Sequence, residues 1–300
     1  MKKQNKLLTK LFSFMLFAAA SIVLMSCDSE TSGDGKFVLN VTDAPIDEEN
    51  VTGVYITFTG IEYQIDGEGW QTAEGFGDPV TINLLELQNG NTSLLGEFNG
   101  GAGNYTGLRF QLDAVDRDGE VPSNPGCYIT YEDGSEKPLF VPSGEQTGYK
   151  AVGNFTVPVN GTVEVTADFD LRKSVVKAGA SGKYILKPTI RVIVNNQSGE
   201  IAGTITNTVT DSSYVVYAYE AGTYDESESN DPAEGEARFP NAVSSTSAVE
   251  NGSYLLAFLA EGDYDVVFTS VDAEGNVTVN GIVEGATVES NSTTQVDFEL

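Results

Sequence analysis

Asp168 and Asp170 are two carboxylates one residue apart, inside the alternating run Val163, Val165, Ala167, Phe169. On a strand, residues i and i+2 share a face about 6.5 to 7 Å apart. That spacing suits two chemistries: a pair of carboxylates flanking a glycosidic bond, or oxygen ligands for a hard cation such as calcium. Arg172 and Lys173 follow directly, which favours a third outcome, an ion-paired strand end. Ser143 and Lys150 carry the groups of a Ser-Lys nucleophile pair, but the stretch 142–150, PSGEQTGYK, reads first as a turn and a following strand. Asp116, Asp118 and Glu120 occupy places 1, 3 and 5 of a would-be calcium loop. The loop's glycine is missing and Cys127 stands where the closing glutamate belongs, so a hairpin turn is expected. The chain has no histidine, which excludes Ser-His-Asp and Cys-His catalytic sets and the usual general base near neutral pH.

Binding chemistry has other candidates. Trp70 and Tyr63 sit near the hairpin tip Asp66-Gly67-Glu68-Gly69 and are the best aromatics for stacking on sugar. Lys150, Arg172, Lys173, Lys177, Lys183, Lys187 and Arg191 cluster along the chain. They could form a patch for an anionic glycan or an acidic partner, or balance the acids of the same region, and the second reading is favoured. The ligand or ion contacts expected are therefore Asp43, Trp70, Arg109, Lys150, Asp168 and Asp170. No catalytic residue is assigned, the metal question stays open, and calcium is the one cofactor the acidic surface would suit. With 44 acidic against 16 basic residues the net charge is −28, which repels nucleic acid.

These groups must be positioned by strands. Gly (32), Tyr (13) and Phe (15) are abundant and Met (3) is scarce, a bias toward strands and tight turns. Phe37, Leu39 and Val41 alternate, and the strand stops at Asp43-Ala44-Pro45. A long strand over 53–65 places Val54, Ile56 and Phe58 on one face, with a bulge expected at Gly60 before Ile61, Tyr63 and Ile65. Residues 80–87 mix strand and short-helix character. Further strands are expected over 108–112, 127–131, 137–141, 148–158, 163–169 and 183–194. The total is eight to ten strands with no long amphipathic helix. Beyond residue 198, strands over 199–206, 215–219, 251–256 and 260–268 flank an acidic loop over 221–236, the last two strands pairing with each other.

The N-terminus has a basic stretch with Lys2, Lys3, Lys6 and Lys10, then an apolar run of fifteen residues over 11–25 interrupted only by Ser13 and Ser21. That is short for a bilayer span of about 20 residues and fits a secretory signal. Leu24-Met25-Ser26-Cys27 resembles the bacterial lipobox. The resemblance implies cleavage between Ser26 and Cys27, diacylglyceryl attachment at the Cys27 sulfur and N-acylation, which together give a stable membrane anchor. Asp28 and Glu30 resemble, in different bacteria, an inner-membrane retention signal or a surface-export signal. Cys127 is then without a partner and is read as a buried, inert thiol.

Several phrases resemble one family. They are Val41-Thr42-Asp43-Ala44-Pro45, Leu84-Leu85-Glu86-Leu87 with Asn89-Gly90, and Gly103-Asn104-Tyr105 with Leu108-Arg109. Thr147-Gly148-Tyr149-Lys150, Asp168-Phe169-Asp170 with Ser174-Val175-Val176, and Tyr184-Ile185-Leu186-Lys187-Pro188 follow. In order and spacing they are similar to domain of unknown function 4382, found in bacterial secreted and lipid-anchored proteins, with no established activity. Gly199 to Ile205, then Gly252-Ser253-Tyr254 and Gly262-Asp263-Tyr264 with Val266, resemble the carboxypeptidase-regulatory-like, transthyretin-like β-sandwich. That resemblance implies that Tyr254, Leu256, Tyr264 and Val266 face a core.

The expectation is an all-β chain of two antiparallel β-sandwich domains after a cleaved signal peptide. Residues 1–26 form the signal, 27–35 a flexible tether, 36–197 the first sandwich and 198–300 the second. The function expected is that of a lipid-anchored cell-envelope protein, at the outer membrane and facing either the surface or the periplasm. It is read as a non-catalytic binding or adhesion module with carbohydrate as candidate ligand, held to the membrane through Cys27. The alternative is a structural accessory subunit of an envelope complex, and a third reading is a hydrolase using Asp168 and Asp170.

Overall fold

The computed structural model describes residues 33–45, 50–116, 119–141, 148–233 and 235–300. The leader, Ser26, Cys27, Asp28, Glu30 and Ser143 lie outside the described residues. The chain is all-β, and among the described residues the longest helical segments are four residues. Residues 34–194 supply β1 (Asp34–Ala44), β2 (Val51–Ile65), β3 (Trp70–Thr72), β4 (Val80–Asn83), β5 (Ser93–Gly101), β6 (Gly103–Leu112), β7 (Val115–Asp116), β8 (Tyr128–Tyr131), β9 (Glu136–Val141), β10 (Tyr149–Ala151), β11 (Phe155–Val157), β12 (Thr162–Asp170), β13 (Val175–Ala178), β14 (Lys183–Leu186) and β15 (Ile190–Val194). The remainder supplies β16 (Ser198–Thr206), β17 (Ser213–Glu220), β18 (Ser244–Ser247), β19 (Ser253–Ala260), β20 (Gly262–Val271), β21 (Val277–Val288), β22 (Thr293–Gln295) and β23 (Phe298–Glu299).

In the first lobe a four-stranded sheet, β15-β12-β1-β5, faces a larger one running β10-β6-β2-β8-β9-β14-β13, with β3, β4, β7 and β11 on its margins. Apolar residues from both inner faces meet in one core drawn from residues 37–194. Phe37 is central to it, within 6 Å of the rings of Tyr63, Phe98, Tyr105 and Phe155. Burying such a side chain contributes roughly 1.5–3 kcal/mol. In the second lobe, β19-β16-β22 with β23 faces β18-β17-β20-β21 across a core drawn from residues 201–296. Tyr254, Leu256, Tyr264 and Val266 are all buried in it, as the alternation requires. Among the described residues no helix is long and apolar enough to cross a membrane.

The expected bulge is present: the β2–β6 register slips between Phe58 and Gly60. Residues 80–87 divide into β4 and a 3-10 turn over Leu84–Leu87. Other segments depart from the alternation. Asp34 and Gly35, assigned to the tether, already belong to β1. The run 148–158 breaks into β10 and β11, both against β6. The run 183–194 breaks at Pro188, which has no N–H for a ladder, so β14 and β15 lie in different sheets. The strands over 251–256 and 260–268 do not pair: β19 joins β16 while β20 joins β17. Some ladders are parallel, including β1–β12 and β16–β22, a feature that alternation cannot reveal because parallel and antiparallel strands share the same period.

Both lobes turn the chain between sheets with the same device. One residue, Ala102, separates β5 from β6, and one, Glu261, separates β19 from β20. Each joint is followed by Gly-x-Tyr, and each tyrosine hydroxyl donates to the carbonyl four residues upstream: Tyr105 to Gly101 and Tyr264 to Ala260, both at 2.9 Å. This is a tyrosine corner in both places.

Cys127 is buried and unpaired with any other cysteine, and burial pushes its thiol up to about 12. Burial likewise raises the phenols of Tyr63, Tyr105, Tyr219, Tyr254 and Tyr264 above the ordinary 10.0. An acid whose value is raised by folding gives stability that is present below its unfolded value and lost as pH rises through the folded one. The fold should therefore hold to about pH 10 and unfold above it, with tyrosinate absorbance and loss of the β-sheet circular dichroism rising together. Tyrosine ionisation centred near pH 10 with the circular dichroism intact would contradict this.

Candidate functional site

Three of the expected contacts come together on the outer face of the large sheet. In the register, Glu62 stands opposite Arg109 and Arg109 opposite Lys150, so the three form a row across β2, β6 and β10. Gln64 stands opposite Trp70 on one side and Gly107 on the other. Cross-strand partners share a face, and the inward face of these strands carries Ile61, Tyr63, Leu108 and Phe110, all buried. The polar row therefore points outward.

Trp70 lies across this face because Gly107 leaves room for it. A Cβ at Gly107 would stand 2.7 Å from the far edge of the indole. The Arg109 guanidinium stacks 3.6 Å from the ring centroid, and the Lys150 ammonium lies 5.7 Å away. Contacts of this kind contribute about 0.5–2 kcal/mol, rising with desolvation. Arg109 Nη1 also reaches Glu62 Oε2 at 3.4 Å, and Gln111 donates to the same oxygen at 3.3 Å. The result is a half-buried aromatic plate capped by one planar cation and flanked by an exposed one. It can take an anionic group on the guanidinium and ammonium and an apolar edge on the indole.

The acidic candidates have another role. Asp168 accepts from Arg191 Nε at 2.7 Å. Asp170 Oδ2 meets Arg172 Nη2 at 2.9 Å and Lys173 Nζ at 3.2 Å. The ion-paired strand end is the arrangement found, and both aspartates are buried. Asp43 is also buried but pairs in register with Phe169, one step out of phase with Asp168 and Asp170. Among the described residues no three acidic, cysteine or histidine side chains group as a metal site.

Sequence reasoning placed Arg172 and Lys173 beside these acids but missed where else they reach. Arg172, wholly buried, donates through Nη1 to the carbonyl of Phe239 at 3.1 Å and lies 5.2 Å from the Tyr217 ring. Lys173 donates to the carbonyl of Ala242 at 2.8 Å. Burial pulls the Lys173 ammonium below its usual value while Asp170 opposes that shift. Both cations thus join the first lobe to the second. Asn89, which the sequence marks only as part of a family phrase, does the same: its amide donates to Ser247 O and accepts from Leu255 N, both at 3.1 Å.

Removing one partner of a buried charge pair costs about 3–5 kcal/mol when the other is left unpaired; here Lys173 stays beside Asp170, so the loss falls mainly on the contacts with Phe239 and Tyr217. Arg172→Met should lose about 1–3 kcal/mol in a urea titration followed by circular dichroism. A variant as stable as the parent would show that the clamp contributes nothing.

No curated protein sequence matches the chain. Among solved structures it is similar to the Bacillus anthracis TIE protein, at 10% identity and TM-score 0.21 over 89% of this chain and 34% of that one. The chain spans about a third of that protein's length. It is similar to BcpA, the major pilin subunit of Bacillus cereus, at 10% identity and TM-score 0.22, over 89% of this chain and 69% of that one. GBS52, the minor pilin of Streptococcus agalactiae, matches at 13% identity and TM-score 0.20, over 88% and 94% of the two chains. At these TM-scores the likenesses carry no argument about this chain. The family described as Domain of unknown function (DUF4382) matches residues 34–188. With more than half of its length matched, the chain belongs to that family.

Proposed function

We propose that this chain is a non-catalytic binding or adhesion module of the bacterial cell envelope, anchored through acylated Cys27 and contacting carbohydrate that carries acidic groups. The observation that carries this reading is the placing of Trp70, Arg109 and Lys150 side by side on an outward sheet face. On a chain of net charge −28, a plate with two cations favours an anionic group locally, and an indole edge favours the apolar side of a sugar. Asp168 and Asp170 are engaged with Arg191, Arg172 and Lys173, which supports a structural role for the acids rather than hydrolysis. The proposed organisation is a signal over 1–26, a tether from 27, a first domain to 197, and a carboxypeptidase-regulatory-like sandwich over 198–300. The proposed address is the outer membrane. A second reading, a structural accessory of an envelope complex, is favoured by the Arg172 and Lys173 clamp, since two lobes joined through buried charge suit a spacer.

On an array of uronate-bearing, sulfated and neutral glycans, the purified chain should retain acidic glycans. Trp70→Ala and Arg109→Ala should each weaken retention about tenfold or more, and added salt should weaken it further. Absence of any acidic-glycan signal, or variants that bind like the parent, would overturn the reading. The anchor has its own test. In intact cells the parent should incorporate labelled palmitate and sediment with membranes, and Cys27→Ser should do neither; equal labelling of the two would remove the anchor.

A further inference from the structure

A cavity of about 380 Å³ opens on the second lobe beside the Asn89-Gly90 tip of the first. Its size falls within the roughly 300–1,000 Å³ of ligand pockets, and its place between lobes is a common one for them. Phe258 lines it, half-buried and with φ +56°. That is left-handed backbone, uncommon for any residue with a side chain and an outlier for a bulky one. The cause is local: the β16–β19 register slips between Gly199 and Ile201, so β19 bulges at Ala257 and Phe258. Bulges re-aim side chains, and this one places Phe258 in the wall of the cavity.

The rest of the wall indicates the chemistry of the occupant. Leu255 supplies apolar surface next to Phe258, and Asn195, Glu200 and Asn291 supply polar groups. These polar side chains are held in place: Asn195 accepts from Thr166 at 2.8 Å, Thr293 donates to Glu200, and Asn291 donates to Asn196 O at 2.9 Å. Glu200 is the sole charged residue in the lining and no cation accompanies it, so an anionic ligand is disfavoured. An aromatic plate with fixed amide and carboxylate groups matches a ring with one apolar face and a hydroxyl rim. We propose that this cavity is a binding site for a neutral saccharide ring, stacked on Phe258 and hydrogen-bonded by Asn195, Glu200 and Asn291.

The site is separate from the Trp70 plate, so each can fail alone. Cello-, xylo-, malto-, laminari- and manno-hexasaccharides would be titrated to millimolar concentration into the isotope-labelled chain and followed by heteronuclear NMR. At least one should shift the resonances of Leu255, Ala257 and Phe258 and leave the Trp70 indole unmoved. Phe258→Asn tolerates left-handed backbone; it should keep or raise the melting temperature while weakening that binding about tenfold or more. Phe258→Tyr should retain it. The proposal is overturned if none of the five sugars moves the cavity resonances, or if Phe258→Asn binds as the parent does.

Discussion

A guanidinium cannot shed its proton inside a protein, so a wholly buried arginine must find acceptors. Arg172 finds Asp170 two residues back and the carbonyl of Phe239 in the other lobe. Asp170 alone could not make up for taking this cation out of water, and the missing acceptor is a backbone group of the second sandwich. The outer face of β1 and β12 follows the same logic. Asn40, Thr42, Thr166, Asp168 and Asp170 are polar yet buried, a combination that is costly unless each group is engaged. Thr42 donates to the carbonyls of Leu87 and Asn91, and Asn40 to Glu164. Across the lobes themselves, Arg172, Lys173 and Asn89 bond to backbone groups of the second lobe, so that contact is polar and directional, unlike the apolar cores on either side of it.

Within each lobe the constraint is topological. A sandwich must pass its chain from sheet to sheet without exposing backbone polar groups to an apolar interior. Both lobes do so with a one-residue joint, a glycine and a tyrosine whose hydroxyl ties back to the strand just left. The phenol ring fills the core and its oxygen satisfies the carbonyl, so one side chain serves packing and hydrogen bonding at once.

Much of this could be read from residue types alone. The alternation of Phe37, Leu39 and Val41, or of Val54, Ile56 and Phe58, identifies inward faces that the structure retains. Sheet membership is another matter. Nothing in the periodicity around Pro188 or Glu261 says that the strands on either side join different sheets, because that choice is made by tertiary packing. The site shows the same division. Trp70, Arg109 and Lys150 stand out by type, but they are dispersed along the chain and only the β3-β2-β6-β10 register brings them together. The ion pairs of Asp170 were visible as neighbours in sequence, whereas Phe239 and Ala242 contribute backbone carbonyls, which any residue could supply. Phe258 gave no signal, since a left-handed phenylalanine reads as an ordinary strand residue.

β1 has a mechanical consequence. It lies inside its sheet, parallel to β12 on one edge and antiparallel to β5 on the other, with partners from Asp34 to Ala44. Tension applied to the chain ahead of Asp34 would run along the strand axis, across the direction of its hydrogen bonds. The ladders on both edges would have to shear together, with Phe37, Leu39 and Val41 dragged through the core, and no end bond could peel first. Load entering from that side would therefore be shared along the length of the sheet and reach the sandwich as a whole.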